Sequence, residues 1–149
     1  CLWEDAEMGL VFASGMAAIA TTLLTYLRPG DILLHSEPLY GGTTHLVNET
    51  LPEFGIISVP FRAGMTREDV EARIARHEPA GRLAMILIET PANPTLDLID
   101  IRMCAEIAES RRTDERRPLL AVDNTFLGPL WQHPLQHGAE PLLRRGLAG

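Results

Sequence analysis

Four short stretches carry residue types that could do chemistry, and each comes just after an apolar run or a proline turn. Ser14-Gly15-Met16 follows Leu10-Val11-Phe12. Backbone N–H groups at a helix start, beside a glycine that lets a ligand approach, form a phosphate cradle; the same Ser-Gly pair also serves as ordinary helix capping. Tyr40-Gly41-Gly42 follows Pro38-Leu39. An aromatic ring beside flexible glycines can lie over a planar ligand, or it can pack half-buried against a sheet. Glu89-Thr90-Pro91-Ala92-Asn93-Pro94 follows the run Leu83 to Ile88. Its two prolines restrict the backbone around Asn93, whose side chain holds both a donor and an acceptor. That suits a ring hydroxyl or phenolate oxygen, and equally a rigid turn in which the amide bonds its own backbone. Asp123-Asn124-Thr125 follows Leu119 to Val122. A carboxylate there can face a ligand cation or a protonated ring nitrogen, or serve as a turn or cap residue.

Two further groupings lead nowhere. His133 and His137 stand four apart, a metal-ligand spacing on a helix, but Pro134 lies between them and no third ligand is near, so no metal is expected. Ser14, His35 and Asp123 are the residue types of a hydrolytic triad, but no nucleophile elbow surrounds Ser14.

The elements that must position these residues alternate along the chain. Strands are expected at Leu10 to Phe12, Ile32 to His35, Ile56 to Phe61, Leu83 to Ile88 and Leu119 to Val122. The third contains a proline and is the weaker for it. Helices are expected at Met16 to Leu27 with Ser14 as cap, at Tyr40 to Leu51, at Arg67 to His77 and at Ile101 to Ser110. Val70, Ile74 and His77 share one face of the third, and Ile101, Cys104, Ala105 and Ala108 one side of the fourth. Arg111 to Arg117 reads as a solvated connection without function. Apolar strands alternating with amphipathic helices predict an α/β fold, a mostly parallel sheet with helices on both faces. Ligands in such sheets sit at the carboxyl ends of the strands, which is where the four stretches fall.

Composition narrows the chemistry. The 149 residues carry 13 basic groups, all arginine, against 20 acidic ones, for a formal charge of −7. An acidic chain offers no electrostatic footprint for nucleic acid. The absence of lysine excludes a side-chain amine as imine former, P-loop residue or general base in this chain. Met8 to Leu27 is free of charge and long enough for a membrane span, but Ser14, Thr21, Thr22, Thr25 and Tyr26 interrupt it, so a buried helix is expected and no membrane partner. Cys1 and Cys104 show neither metal spacing nor a disulfide framework, which fits a reducing compartment and a cytoplasmic location. The sequence opens on a helix-like Cys1-Leu2-Trp3 without an initiator Met, and Glu4, Asp5 and Glu7 stand where a signal peptide needs basic residues. It reads as a piece of something longer.

Taken in order, five motifs resemble the Cys/Met-metabolism pyridoxal-phosphate enzymes, a group that includes cystathionine γ-synthase, cystathionine γ-lyase, methionine γ-lyase and O-acetylhomoserine sulfhydrylase. They are Phe12-Ala13-Ser14-Gly15-Met16-Ala17-Ala18-Ile19, Arg28-Pro29-Gly30-Asp31, Leu39-Tyr40-Gly41-Gly42-Thr43, Glu89 to Thr95, and Val122-Asp123-Asn124-Thr125-Phe126. The resemblance covers about Leu2 to Ala139. It implies part of the large domain of a fold-type I, aspartate-aminotransferase-like enzyme over residues 1–139, with pyridoxal 5'-phosphate as cofactor. It also implies an amino-acid substrate, a homo-oligomeric parent, and elimination or γ-replacement on a sulfur amino acid or activated homoserine. Gly15 and Met16 match the amides that hold the cofactor phosphate, with Ser14 opening the turn. Tyr40 matches the tyrosine that stacks on the ring and assists proton transfer, the one catalytic residue implied. Asn93 matches the residue near the ring's 3-oxygen, and Asp123 the partner of the pyridine nitrogen, with Thr125 beside the ring.

The chain also departs from the family. His45 stands where many members have arginine. Residues 140–149 read as an atypical tail, frameshifted or disordered, in place of a strand leading to a Ser-x-Thr-Lys motif. The family's amino-terminal arm and carboxyl-terminal domain have no counterpart. Without the lysine the chain alone is expected to be inactive. The alternative is a non-catalytic α/β module that binds a phosphate ligand or a protein.

Overall fold

Four of the apolar runs and one two-residue strand pair side by side in a single direction. The computed structural model describes residues 6–114, 116–140 and 142–143. Its strands β1 (Asp31–Glu37), β2 (Ile57–Arg62), β3 (Arg82–Glu89), β4 (Leu119–Asp123) and β5 (Leu142–Leu143) form a parallel sheet in the order β2-β1-β3-β4-β5. Between them run α1 (Gly15–Tyr26), α2 (Gly41–His45), a π-helical turn (Leu46–Thr50), α3 (Leu51–Glu53), α4 (Arg67–Ala75), α5 (Ile101–Ser110) and α6 (Gly128–Trp131). A 3-10 turn, Pro134–His137, precedes β5.

Successive strand residues point to opposite faces, and the core divides accordingly. On one face Ile32, Leu34, Ile86, Ile88, Leu120 and Val122 pack with Val70 and Ile74 of α4 and with Ile101, Cys104 and Ile107 of α5. On the other, Leu33, Met85, Leu87 and Ala121 pack with Ile19 and Leu23 of α1, Val47 of the π turn and Leu51 of α3. Burial on both faces explains the unbroken apolar run of β3. The α/β fold with helices on both faces is therefore present.

The local reasons are visible in the caps. Ser14 accepts the Ala17 N–H at 3.0 Å and starts α1. Thr66 and Asp69 form a reciprocal capping box on α4, and Asp100 accepts the Met103 N–H at the start of α5. Pro60 lies in β2, which pairs only with β1, so its missing N–H sits in an edge strand. At Gly138 the backbone is left-handed (φ 93°) and an added Cβ would come within 2.9 Å of Ala105 Cβ, so this turn against α5 needs a glycine.

Two expectations are corrected. Leu10 to Phe12 forms no strand; Leu10 is 77% and Val11 99% exposed. A strand needs a neighbour to satisfy its backbone, and none of the described strands lies beside this segment. Arg111 to Arg117 is not merely solvated. Arg116 reaches back 85 residues to grip Asp31 with both Nη atoms at 3.2 and 3.1 Å, and Arg111 meets Glu78 at 3.1 Å. The helix expected at Tyr40 to Leu51 runs from Gly41 to Glu53, with the π turn inside it. Among the described residues no helix is long and apolar enough to cross a membrane. The Cys1-Leu2-Trp3 opening and most of the 140–149 tail lie outside the described residues. Within that tail the backbone of Leu142–Leu143 adds a parallel strand to β4.

Candidate cofactor site

The strand order reverses between β1 and β3. From there the chain goes to β2 on one side and to β4 and β5 on the other, the position at which sheets of this kind bind ligands beyond the carboxyl ends of their strands. Tyr40 follows β1, Asn93 follows β3, and Asp123 is the last residue of β4.

Glu89, the last residue of β3, ties these loops together. Its Oε2 accepts the Tyr40 N–H at 2.8 Å and its Oε1 the Asn93 N–H at 2.8 Å. Its own N–H donates to Ser36 Oγ of β1 at 3.0 Å. Asp123 is the register partner of Glu89 on the adjacent strand. The Asp123 Oδ1 accepts both the N–H and the hydroxyl of Thr125, at 3.0 and 2.5 Å.

The N-terminus of α1 reaches the same place through Met16. A Cβ built on Gly42 would lie 3.0 Å from Met16 Sδ and 3.2 Å from Tyr40 Cε1, and Thr43 Oγ1 is 3.6 Å from Met16 Sδ. Gly42 thus lets the tyrosine ring and the methionine both lie close against its backbone, a packing reason rather than a flexibility one. The Tyr40 ring remains half exposed. The first N–H groups of α1 have no intrahelical acceptors by helix geometry, and the Ser14 hydroxyl takes one of them. Of the residues singled out in the sequence, Tyr40 and Asn93 are joined through Glu89, Met16 lies against Gly42 and Thr43 beside Tyr40, and Asp123 with Thr125 stands one strand away, while Ser14 and Gly15 open the helix that carries Met16. His45 closes α2 and is exposed.

The electrostatics of this edge are set by burial. Desolvation pushes the Asp123 carboxyl above its ordinary range, against the two bonds from Thr125 that pull it down. Desolvation likewise raises Glu89, opposed by the Tyr40 and Asn93 amides and reinforced by the charge of Asp123. Two carboxylates on adjacent strand ends make a site that favours a cation.

Other reactive types stand apart. The His35 ring is buried, with Nδ1 at 3.0 Å from the Ser36 carbonyl, so it joins no triad with Ser14 and Asp123. Burial pushes the Cys104 thiol up to about 12. His133 precedes the 3-10 turn and His137 ends it, and among the described residues no group of three metal-ligating side chains occurs.

Three contributors carry no signal in the sequence that marks their contacts. Glu89 bonds an amide 49 residues away, which no local pattern shows. Gly42 matters for the close packing at its backbone, which its type alone does not distinguish from flexibility. Asn124 is fully buried; its Nδ2 donates to the Gln132 backbone carbonyl, and its Oδ1 accepts from the Gln132 Nε2, which also donates to the Thr90 carbonyl. This bracket holds the loop after β4 beside the loop after β3. The Asp-Asn-Thr triplet was the available signal, but its middle residue carried no assigned partner.

Comparison with known proteins gives the chain's family and fold. Residues 1–143 match the family model for Cys/Met metabolism PLP-dependent enzymes. The L-methionine gamma-lyase of Pseudomonas deceptionensis is 39% identical over 137 residues, which cover 92% of this chain and 32% of that protein. The cystathionine gamma-lyase of Bacillus subtilis is 38% identical over 140 residues, 94% of this chain and 34% of that one. The crystal structure of metB from Corynebacterium glutamicum aligns with a TM-score of 0.82 at 33% identity, covering 95% of this chain and 34% of that one. The structure of metY from Campylobacter jejuni, which carries a pyridoxyl-lysine phosphate, aligns with a TM-score of 0.81 at 27% identity, covering 97% of this chain and 33% of that one. The chain spans about a third of the length of the relatives it matches. With a family match over nearly all of its residues and the same fold in two solved relatives, it belongs to the Cys/Met metabolism PLP-dependent enzyme family.

Proposed function

We propose that residues 1–139 form part of the cofactor-binding large domain of a trans-sulfuration enzyme, acting by C–S elimination on cystathionine or methionine or by γ-replacement on an activated homoserine. The observation that carries this reading is Asp123, a desolvated carboxylate at the end of a central strand, whose register partner Glu89 holds the loop of the half-exposed Tyr40, a loop that the start of α1 reaches through Met16. That set fits a phosphorylated pyridine. The protonated ring nitrogen is the cation that Asp123 favours, and the α1 amides at Gly15 and Met16, with Ser14 holding the turn, favour the phosphate. When bound, pyridoxal phosphate supplies an electron sink for carbanion chemistry at an amino acid.

The chain's own residues do the rest. Asp123 keeps a proton on the ring nitrogen, and Thr125 fixes the direction of its carboxylate. Tyr40 stacks on the ring and moves a proton at its phenol oxygen. Asn93 holds the 3-oxygen through its side-chain amide. None of the 149 residues is a lysine, so no step that needs a side-chain amine runs on this chain alone. The chain binds the cofactor without a covalent bond and turns over neither cystathionine nor methionine. The whole enzyme is a cytoplasmic homo-oligomer acting on small amino acids.

Thermal melts of the chain with and without pyridoxal phosphate test this. At a hundredfold excess over its dissociation constant the ligand adds about 2.7 kcal/mol of stability. The rise in midpoint is expected in the native chain and not in Asp123→Ala. A midpoint indifferent to the cofactor favours the non-catalytic module instead. Turnover by the purified chain overturns the predicted inactivity.

A further inference from the structure

We propose that Glu89 is a positioning residue that clamps the loops after β1 and β3 in register and so fixes Tyr40 and Asn93 against a bound ring. The inference deepens the cofactor-site reading above and rests on it.

Glu89 stands where the strand order reverses, with β1 on one side and β4 on the other. One carboxylate oxygen goes to the loop after β1, at the Tyr40 amide, and the other to the loop after β3, at the Asn93 amide. The residue is only 6% exposed. An ionisable group in that setting would ordinarily be paired with a cation. Here its partners are two backbone amides, and the charge acting on it is the like charge of Asp123. A carboxylate is the side chain whose two oxygens both accept and neither donates, so it alone holds two amides from separate loops at once. A glutamine of the same size accepts through one atom and turns an NH2 donor toward the other amide. The two residues so held are the ones assigned to the ring's face and its 3-oxygen, while the phosphate end at α1 depends on other contacts.

The test uses the 149-residue chain, its Glu89→Gln variant, and 4'-deoxypyridoxine 5'-phosphate, a ring phosphate with no aldehyde that binds without an amine. Backbone amide exchange by NMR reads the clamp directly. The Tyr40 and Asn93 amides are expected to exchange slowly in the native chain. In Glu89→Gln at least one is expected to exchange about ten-fold faster, with the Ile86 and Leu87 amides of β3 unchanged. The dissociation constant of the ring phosphate is expected to rise about ten-fold, with loss of the dichroism of the bound ring, which a merely structural role would not move. Fast exchange at both amides in the native chain overturns the proposal, and this measurement decides it even if the variant does not fold. Unchanged exchange and unchanged ring dichroism in a folded variant also overturn it. Slow amides in a native chain that does not bind the ring phosphate overturn the cofactor reading instead, so the two failures are told apart.

Discussion

Asp123 shows how one residue can be set against the stability of its own fold. Below the ordinary carboxylate pKa of about 3.9, the folded and unfolded chains both hold its proton and burial costs nothing. As the pH rises through that value the unfolded chain ionises freely, while the folded one resists until its raised value is passed. Stability from this group is therefore present in acid and lost toward neutrality. Asp123→Asn keeps an oxygen for both Thr125 donors and removes the charge, which also relieves Glu89 across the ladder. At pH 7 the variant is expected to be more stable by about 1 kcal/mol, a midpoint about 3 °C higher, and the gain should vanish near pH 3.5. Its affinity for a pyridine phosphate should fall at least ten-fold, since a neutral amide no longer favours a ring cation. Melts at the two pH values and a ligand titration check both halves. A variant less stable than the native chain at pH 7 would show that Asp123 has partners beyond Thr125.

At the scale of the element, α1 combines a structural cap with the proposed phosphate end. The Ser14 hydroxyl accepts the Ala17 N–H, so Ser14→Ala leaves an N-terminal donor without its acceptor. The expected loss is about 1 kcal/mol, or about 3 °C in midpoint, with the helical signal in circular dichroism retained. Ser14→Asp restores the cap and the stability. It also adds a negative charge where the phosphate is proposed to bind, so ligand affinity should fall while the midpoint recovers. Recovery of both would remove the phosphate from this helix. The helix itself was legible in the sequence because capping is local: serine, glycine and an apolar stretch suffice. The strand expected at Leu10 to Phe12 was not, because a strand exists only with a neighbour and three apolar residues do not reveal whether one is present.

Across the whole molecule the two ends of the sheet do different work. At the amino end, Asp31 is 3% exposed and held by Arg116 through both oxygens, by the Arg28 N–H at 2.8 Å and by Arg82 at 3.5 Å. At the carboxyl end, Asp123 and Glu89 are desolvated beside each other, the arrangement of a site that gives up stability for binding. Arg116→Ala leaves Asp31 buried with its lesser partners. The expected loss is about 3 kcal/mol, the low end for breaking a buried pair, measured by urea unfolding. Arg116→Lys should not recover it, because one ammonium cannot hold both Asp31 oxygens and the Tyr26 carbonyl as Arg116 does. Asp31→Asn in the Arg116→Ala background should recover part of the loss by removing the unpaired charge.

The sequence by itself determined the alternation of strands and helices and the residue types at the strand ends, because periodicity, caps and turns act over a few residues. It also placed the chemistry on the sheet's carboxyl edge and excluded a side-chain amine. Only the tertiary structure decided which of those ends meet. The strand order, the approach of Met16 to Gly42, the hold of Glu89 on two loops and the reach of Arg116 to Asp31 all join residues far apart in the chain. Such contacts follow from how helices cover both faces of one sheet, which no local pattern encodes.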